Sequence, residues 1–262
     1  MVPRLIVLET IQELQSFVQQ NRLFYILGKG SNTLIKPNLE VPMIQLGGEF
    51  VRSEVRNMQV YLGAGVPVHR LMAFLHRHGL SGLEFSAGVP ATIGGMLAMN
   101  FGCFGKQISE FVTSVQIVDD HGVERWLPAS ELGFAYRTSF LATKRWIAVG
   151  AIFAMVPEDP KKIKAQTLDY IRIRLEKQPL KEKTFGSVFK NPSGRYAAEL
   201  IEACGFKGYR YRDIQVSDQH ANFMVNLGRA QFDDIHYLIQ KIQADVFRVF
   251  DVFLEPEVKL FV

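Results

Sequence analysis

Three clusters of residues in this sequence have types and spacing that could support chemistry. The first is the loop Gly28-Lys29-Gly30-Ser31-Asn32-Thr33. Small residues in such a loop let consecutive backbone N–H groups converge on an anion, and the hydroxyls of Ser31 and Thr33 add donors. The pattern predicts a pyrophosphate site, although it lacks the third glycine of a Rossmann fingerprint and the ending of a Walker loop. A tight surface turn is the alternative interpretation.

The second cluster consists of two glycine-bearing loops around a short apolar helix. The loops are Gly88-Val89-Pro90-Ala91-Thr92-Ile93-Gly94-Gly95 and Asn100-Phe101-Gly102-Cys103-Phe104-Gly105. Glycine allows the backbone to approach a ligand closely, and the helix start near Thr92 predicts unpaired N–H donors and a positive dipole end directed at phosphate. A dinucleotide lying across the first two clusters is one interpretation. A tightly packed, glycine-rich helix contact is the other.

The third cluster surrounds Ser187 in the segment from Lys183 to Pro192. No GxSxG elbow is present, which disfavours a hydrolase nucleophile. A serine can instead donate a proton to a carbanion when nearby cations stabilise the alkoxide, and Lys190 and Asn191 follow closely. A strand start with a capping serine is the structural alternative. If the segment Glu255-Pro256-Glu257-Val258 is a strand, its two carboxylates share one face, which indicates solvent exposure or a site.

The histidines give weaker signals. His69, His76 and His78 lie on one predicted amphipathic helix, with no carboxylate or thiol at ligand spacing, so we expect no metal site. We expect His220 to make a structural hydrogen bond or to bind substrate.

Composition excludes several classes of protein. The 262 residues are 48% hydrophobic and 11% aromatic, which argues against disorder. The net charge of +4 is spread thinly, so we expect an anionic small molecule and no nucleic acid as partner. Two cysteines and the lack of a leader pattern predict a cytoplasmic protein. The apolar run from Trp146 to Val156 is too short for a membrane helix and predicts a buried strand, so we expect no membrane partner.

The elements that must position these clusters are a mixture of short strands and helices, which predicts the α+β class. Helices are expected at residues 9–20, 68–78 (ended by Gly79) and 195–204 (ended by Gly205), followed by a long final helix. Strands are expected at residues 23–27, 43–46, 59–62, 114–118, 123–127, 146–156 and 221–226. The apolar face of the final helix is predicted to contain Ile235, Leu238, Ile239, Ile242, Val246, Val249 and Phe253. A charged stretch predicts a domain junction between Pro157 and Pro179.

Taken in order, the motifs resemble the UDP-N-acetylenolpyruvoylglucosamine reductase family, and the resemblance covers nearly the whole chain. Its specific parts are GKGSNTLI, GLEFSAGVPATIGGMLAMNFGCFG, the Tyr136-Arg137 pair in FAYRTSF, GSVFKNPSGRYAAELIEACGFKG, VSDQHANFMVN and LEPEV. The resemblance implies an FAD-binding domain of the vanillyl-alcohol-oxidase type at residues 1–165, in two α+β subdomains at about 1–62 and 63–165. An α+β substrate-binding domain would follow at residues 166–262, with its last ~15 residues packing back on the FAD domain.

The same resemblance implies the cofactors, the reaction and the site. FAD would be the cofactor and NADPH the hydride donor, and the enolpyruvyl group of UDP-N-acetylglucosamine enolpyruvate would be reduced to UDP-N-acetylmuramate for peptidoglycan synthesis. The family's catalytic trio is matched by Arg137, Ser187 and Glu257. The spacing of 50 residues between Arg137 and Ser187 resembles that of the family's type II branch. The positions that match flavin-binding motifs are Gly28, Gly30, Ser31, Asn32, Thr33, Gly88, Pro90, Thr92, Gly94, Gly95, Asn100 and Gly102. The candidates for binding the sugar nucleotide are Tyr136, Lys177, Lys190 and Asn191.

Some positions depart from the family's pattern. The strand and Gly-Gly turn that the family places before the segment matching Val2 to Leu8 are absent, so we expect weaker flavin binding. Ala91 and Phe104 stand where Gly and Tyr are usual, and Arg212-Asp213-Ile214 replaces a Gly-Gly-Ala run.

Two other functions are therefore kept as alternatives. One is a flavin-dependent alcohol or sugar oxidase of the same fold, in which Cys103 could be linked to the flavin. The other is a non-catalytic protein that binds flavin or a nucleotide sugar. A monomer is the expected oligomeric state.

Overall fold

The computed structural model describes residues 5–56 and 59–262. Within them the chain divides into two compact units. We call residues 5–29 and 40–172 the N-terminal unit, and residues 30–39 and 173–262 the C-terminal unit. This division falls after Arg172, and it assigns the segment Gly30–Leu39 to the C-terminal unit, whereas the predicted domains are the continuous ranges 1–165 and 166–262.

The α-helices of the described residues range from four to nineteen residues. They are α1 (Ile11–Gln20), α2 (Val68–His78), α3 (Ile93–Ala98), α4 (Phe140–Thr143), α5 (Pro160–Lys177), α6 (Ala197–Ala203) and α7 (Phe232–Phe250). The strands are β1 (Leu5–Leu8), β2 (Tyr25–Ile26), β3 (Thr33–Ile35), β4 (Met43–Leu46), β5 (Ser53–Arg56), β6 (Gln59–Gly63), β7 (Leu80–Ser81), β8 (Gly102–Cys103), β9 (Lys106–Gln107), β10 (Val112–Val118), β11 (Glu124–Pro128), β12 (Ile147–Ala154), β13 (Val156–Pro157), β14 (Thr184–Ser187), β15 (Arg210–Tyr211), β16 (Ile214–Val216), β17 (Phe223–Asn226) and β18 (Lys259–Phe261).

A five-stranded antiparallel sheet forms the centre of the N-terminal unit, in the order β11-β10-β12-β6-β5. Strands β10 and β11 form the predicted hairpin, and β12 lies within the predicted range 146–156. A smaller parallel sheet has the order β1-β4-β2, so β4 pairs with both of the strands that flank α1. The α+β prediction is therefore confirmed in this unit.

Helices α2 and α3 pack on the five-stranded sheet and form the larger core of the N-terminal unit. Leu71 and Leu75 from α2 are fully buried there with Phe153 of β12. The predicted bounds of α2 are confirmed, and Gly79 ends the helix in the left-handed conformation with φ 59°, which a residue with a Cβ adopts only at a cost. Helix α1 contributes Leu14 to a second core, and its N-terminus carries a capping box between Thr10 and Glu13.

The C-terminal unit contains an antiparallel sheet in the order β14-β17-β16-β15, packed with α6 and α7. The terminal strand β18 pairs in parallel with β3, so Lys259 lies opposite Thr33 and Phe261 opposite Ile35. Because β3 lies in the segment 30–39, its pairing with β18 explains why this segment belongs to the C-terminal unit.

Two predictions about elements need correction. The predicted face of the final helix extends to Phe253, but α7 ends at Phe250 with Asp251 in the left-handed conformation, and Val249 and Phe253 are 53% and 66% exposed. Residues 255–258 form no strand beyond a single bridge between Pro256 and Phe189, and the Glu255 side chain pairs with Lys190. The charged stretch between Pro157 and Pro179 folds as α5, with Pro160 in its first turn, where the missing N–H costs nothing. The division between the two units falls within this stretch, after Arg172.

Candidate functional site

Gly28 of the first cluster adjoins the second glycine cluster in the N-terminal unit. A Cβ built on Gly28 would lie 2.8 Å from Thr92 Oγ1, so only glycine allows this approach of the two loops. The amide of Gln45 also donates to the Gly28 carbonyl. Gly28, Gly94 and Gly95 are partly exposed, whereas Thr92 and its neighbour Ile93 are buried. The glycines therefore present an open backbone surface where the two loops meet.

The start of α3 differs from the prediction. The hydroxyl of Thr92 caps the helix by accepting the N–H of Gly95 at 3.3 Å, but the N–H of Ile93 donates to the Val66 carbonyl at 3.0 Å. The N–H of Gly94 likewise donates to Ala64, at 2.8 Å. The prediction that this helix start offers unpaired N–H donors to phosphate is wrong, because the neighbouring turn after β6 already accepts them.

Arg137 lies in a tight turn between Ala135 and Thr138, whose backbone groups exchange hydrogen bonds of 3.1 and 3.2 Å. Its φ of 57° places it in the left-handed region, which is costly for arginine and indicates that the surrounding structure fixes the turn. The guanidinium carbon lies 5.1 Å from the ring centre of Tyr136, and a Cβ on Gly102 would lie 3.4 Å from Arg137 Nη1. The turn therefore places Tyr136, Arg137 and Gly102 together.

Ser187, Glu257 and Asn32 are joined through the backbone of the C-terminal unit. Ser187 ends β14, and the carbonyl of the next residue, Val188, accepts the N–H of Glu257 at 2.8 Å. The Glu257 carbonyl accepts the side-chain amide of Asn32 at 3.1 Å, and the Asn32 carbonyl accepts the N–H of Lys259 at 3.0 Å. Three residues predicted to act in catalysis or cofactor binding thus lie in one hydrogen-bonded layer, although they are far apart in sequence.

Two of the three predicted sugar-nucleotide residues in the C-terminal unit contact other residues of the protein. The ammonium of Lys190 pairs with the Glu255 carboxylate at 2.5 Å, and the Asn191 side chain accepts the N–H of Ala197 at 3.0 Å, at the start of α6. Lys177 is exposed at the end of α5. Their roles toward substrate stay predictions.

Gly28, Lys29 and the second glycine cluster, all in the N-terminal unit, fit a flavin dinucleotide. Adjoining loops with partly exposed glycines let a large flat ligand approach the backbone, and Lys29 on the first loop is exposed beside them. The residues that would hold the cofactor in the N-terminal unit are Gly28, Gly88, Pro90, Thr92, Gly94, Gly95 and Gly102, and this assignment stays a prediction. Asn100, predicted with them, is 2% exposed, and its side chain bonds to Gln107, Ala135 and Ser109 instead.

Comparison with known proteins decides the family. Residues 178–261 match the family model of the UDP-N-acetylenolpyruvoylglucosamine reductase C-terminal domain, and residues 3–127 match that of an FAD binding domain. A UDP-N-acetylenolpyruvoylglucosamine reductase from Halalkalibacterium halodurans is 38% identical over 90% of this chain and 78% of its own length. The chain belongs to the UDP-N-acetylenolpyruvoylglucosamine reductase family.

Other members of this reductase family agree with the fold. The reductase from Thermotoga maritima is 38% identical over 90% of this chain and 84% of its own. The crystal structure of the reductase from Thermus caldophilus matches with a TM-score of 0.85 and 32% identity, covering 98% of this chain and 92% of that one. The predicted fold class, an α+β FAD-binding domain followed by a second α+β domain, is confirmed.

Asn222 is a structural residue of this reductase that sequence reasoning missed. Its side chain donates to the Phe189 carbonyl at 2.8 Å and accepts the Phe189 N–H at 2.9 Å, while its own carbonyl accepts the N–H of Val188. It thereby fixes the backbone that follows Ser187. The buried asparagine in the VSDQHANFMVN motif was the available signal, because a buried amide needs partners for all its polar atoms.

His220 supports Asn222, since its Nδ1 accepts the N–H of Asn222 at 3.2 Å. Burial lowers the pKa of His220, with Lys207 contributing in the same direction, and an accepting Nδ1 requires the neutral ring. A histidine whose pKa is lowered on folding stabilises the protein above its unfolded pKa of about 6.5. That stability is lost as the pH falls through the lower folded pKa.

We therefore predict that the free energy of unfolding of the reductase falls between pH 7.5 and pH 5, and that His220→Asn reduces this fall. Asparagine retains an acceptor near the position of Nδ1 but does not titrate. Urea unfolding at several pH values measures the effect, with the exposed His121→Asn as the matched control. An unchanged pH dependence in His220→Asn would show that this histidine does not contribute.

No group of three or more His, Cys, Asp or Glu in residues 5–56 and 59–262 is arranged to hold a metal ion. Over the same residues, none of the helices combines the length and the apolar character needed to cross a membrane.

Proposed function

We propose that this chain reduces the enolpyruvyl group of UDP-N-acetylglucosamine enolpyruvate to give UDP-N-acetylmuramate, a precursor of peptidoglycan, with FAD as cofactor and NADPH as hydride donor. The observation that carries the proposal is the presence of both family domains in one chain that retains Arg137, Ser187 and Glu257 at the motif positions. No observation of this kind supports the alternative of an oxidase or that of a non-catalytic binding protein.

Bound FAD supplies the transfer of hydride from NADPH to the terminal methylene carbon of the enolpyruvyl group. Negative charge then develops on the substrate next to its carboxylate. Residues of the chain must bind the carboxylate, stabilise the charge and deliver a proton to the adjacent carbon, and fixed donors are the most effective way to stabilise such charge.

Arg137 binds the carboxylate in this proposal. A guanidinium stays protonated at all working pH values and can donate two parallel hydrogen bonds to one carboxylate. The turn from Ala135 to Thr138 holds the arginine backbone in place before substrate binds, so less conformational freedom is lost on binding.

Ser187 donates its hydroxyl proton to the carbon that receives the developing negative charge, and Glu257 orients or polarises the substrate carboxylate. The backbone of both residues is fixed by the hydrogen bond from Glu257 N–H to Val188. Tyr136, which is 51% exposed, and Lys177, Lys190 and Asn191 are proposed to bind the sugar nucleotide.

An absorbance spectrum of the purified protein tests the proposal. We expect a flavin band that bleaches when NADPH is added without air and returns when the enolpyruvyl sugar nucleotide is added. A protein that binds no FAD, even when FAD is supplied, would favour the binding-only alternative. Bleaching by an alcohol or a sugar, followed by rapid reoxidation in air, would favour the oxidase.

We also propose that the reductase works as a monomer in the cytoplasm. Light scattering during size-exclusion chromatography checks the first statement, because a monomer of this chain has a mass of 29.7 kDa.

A further inference from the structure

Asn100 contacts the arginine turn through a side chain whose polar atoms all bond to protein. The residue is 2% exposed and has a φ of 42°. Its Nδ2 donates to the Ala135 carbonyl at 3.0 Å and to Gln107 Oε1 at 3.1 Å, and its Oδ1 accepts the N–H of Ser109 at 3.3 Å. Both amide hydrogens are therefore committed, one of them to the residue that opens the Arg137 turn.

Ser139 holds the other side of the same turn. Its hydroxyl is 1% exposed and lies 3.0 Å from the Leu97 carbonyl and 2.9 Å from the Ala98 carbonyl. Those carbonyls end α3 and have no partner within the helix. The turn that carries Arg137 is thus held at both ends: Ala135 bonds to Asn100, just after α3, and Ser139 bonds to the last turn of α3.

We propose that Asn100 and Ser139 are positioning residues that fix the guanidinium of Arg137 for the substrate carboxylate. The inference rests on the proposed function, and it gives Asn100 a role different from the flavin contact predicted from its motif. Both amide hydrogens of Asn100 donate to Ala135 and Gln107, and its Oδ1 accepts the N–H of Ser109, so the side chain is committed to the protein. Arg137 needs such support because its left-handed backbone is unfavourable without it.

The substitution Asn100→Asp tests the proposal. Aspartate has nearly the same shape and tolerates the left-handed conformation, but it removes the donor to Ala135 and places a carboxylate oxygen against that carbonyl. We expect reoxidation of the NADPH-reduced enzyme by the enolpyruvyl substrate to slow by about 100-fold, because displacing a catalytic group by about 1 Å reduces the rate by that factor. Reduction of the enzyme by NADPH and its FAD content should stay near those of the parent protein.

A double-mutant cycle shows whether Asn100 acts through Arg137. In an Arg137→Ala background, Asn100→Asp should cause no further slowing, because the group that it positions is absent. Additive losses, or loss of FAD with normal reoxidation per bound flavin, would overturn the proposal. Ser139→Ala provides a second variant, and we expect a smaller slowing with the same dependence on Arg137.

Hydrogen exchange of the protein without substrate supplies a measurement that does not depend on turnover. Asn100→Asp should speed exchange of the Ala135 and Thr138 amides, which bond across the turn. The matched control is Asn21→Asp, since Asn21 donates to the Phe17 carbonyl at 2.9 Å elsewhere in the same unit. If the parent enzyme does not react with the enolpyruvyl substrate, the proposed function fails. If exchange at the turn is unchanged, the positioning role fails.

Discussion

Replacing Ser187 by alanine should slow reoxidation of the NADPH-reduced enzyme by roughly 100- to 10,000-fold, the range over which a positioned proton donor contributes. Reduction by NADPH should be nearly normal, because that step needs no proton at the substrate carbon. Anaerobic stopped-flow absorbance measures the two half-reactions separately. Equal losses in both would exclude Ser187 as the donor.

The surroundings of Ser187 make this result specific to the hydroxyl. Its backbone is held by the pairing of β14 with β17 and by the bonds of Val188 to Asn222 and Glu257, none of which involves the serine side chain. Alanine should therefore leave the strand in place. Ser187→Cys retains a proton donor and should recover part of the rate, whereas the exposed Ser193→Ala should have no effect and serves as the matched control.

Local patterns in the sequence predicted helices α1, α2 and α6 and the β10–β11 hairpin well. Helix α2 has buried residues at Val68, Leu71 and Leu75, a spacing that only a helix places on one face, and Gly79 marks its end. The turn from Asp119 to Gly122 likewise follows from residues that favour turns. These elements are set by neighbours in the chain, so sequence alone was sufficient.

Helix α5 was missed because charged residues dominate it and it has no clear apolar face. Only a few of its side chains are buried, among them Ile163 at 1% exposure and Arg174 at 5%. The available signal was the start of the helix, where Asp159 accepts the N–H of Lys161 and Pro160 occupies the first turn. Capping residues carried more information here than hydrophobic spacing.

The parts of the site that depend on distant residues could not be derived from local pattern. The pairing of β3 with β18 joins residues more than two hundred positions apart, and the partners of the α3 N–H groups lie in the turn after β6. A glycine-rich helix start looks the same in sequence whether its donors face a ligand or a neighbouring carbonyl. Only tertiary structure distinguishes the two arrangements.

Substituting Arg137 by lysine should also impair the second half-reaction, by about 100- to 1,000-fold, as expected for loss of one fixed donor to a developing negative charge. The backbone conformation should not change, because lysine has the same Cβ and pays the same cost at a φ of 57°. The charge is also retained. The variant therefore isolates the planar, two-pronged geometry of the guanidinium, which a single ammonium cannot reproduce.

Arg125→Lys is the matched control for this prediction, since Arg125 pairs with Asp119 at 2.8 Å in the same unit and takes no part in the proposed chemistry. Its reoxidation rate should equal that of the parent protein. If Arg137→Lys also reoxidises at the parent rate, charge alone is sufficient and the two-pronged contact is not needed. If the rate falls while NADPH reduction is preserved, the loss lies in the contact with the substrate carboxylate. The same loss should then appear when Asn100 is changed, because the guanidinium is effective only where the turn from Ala135 to Thr138 holds it.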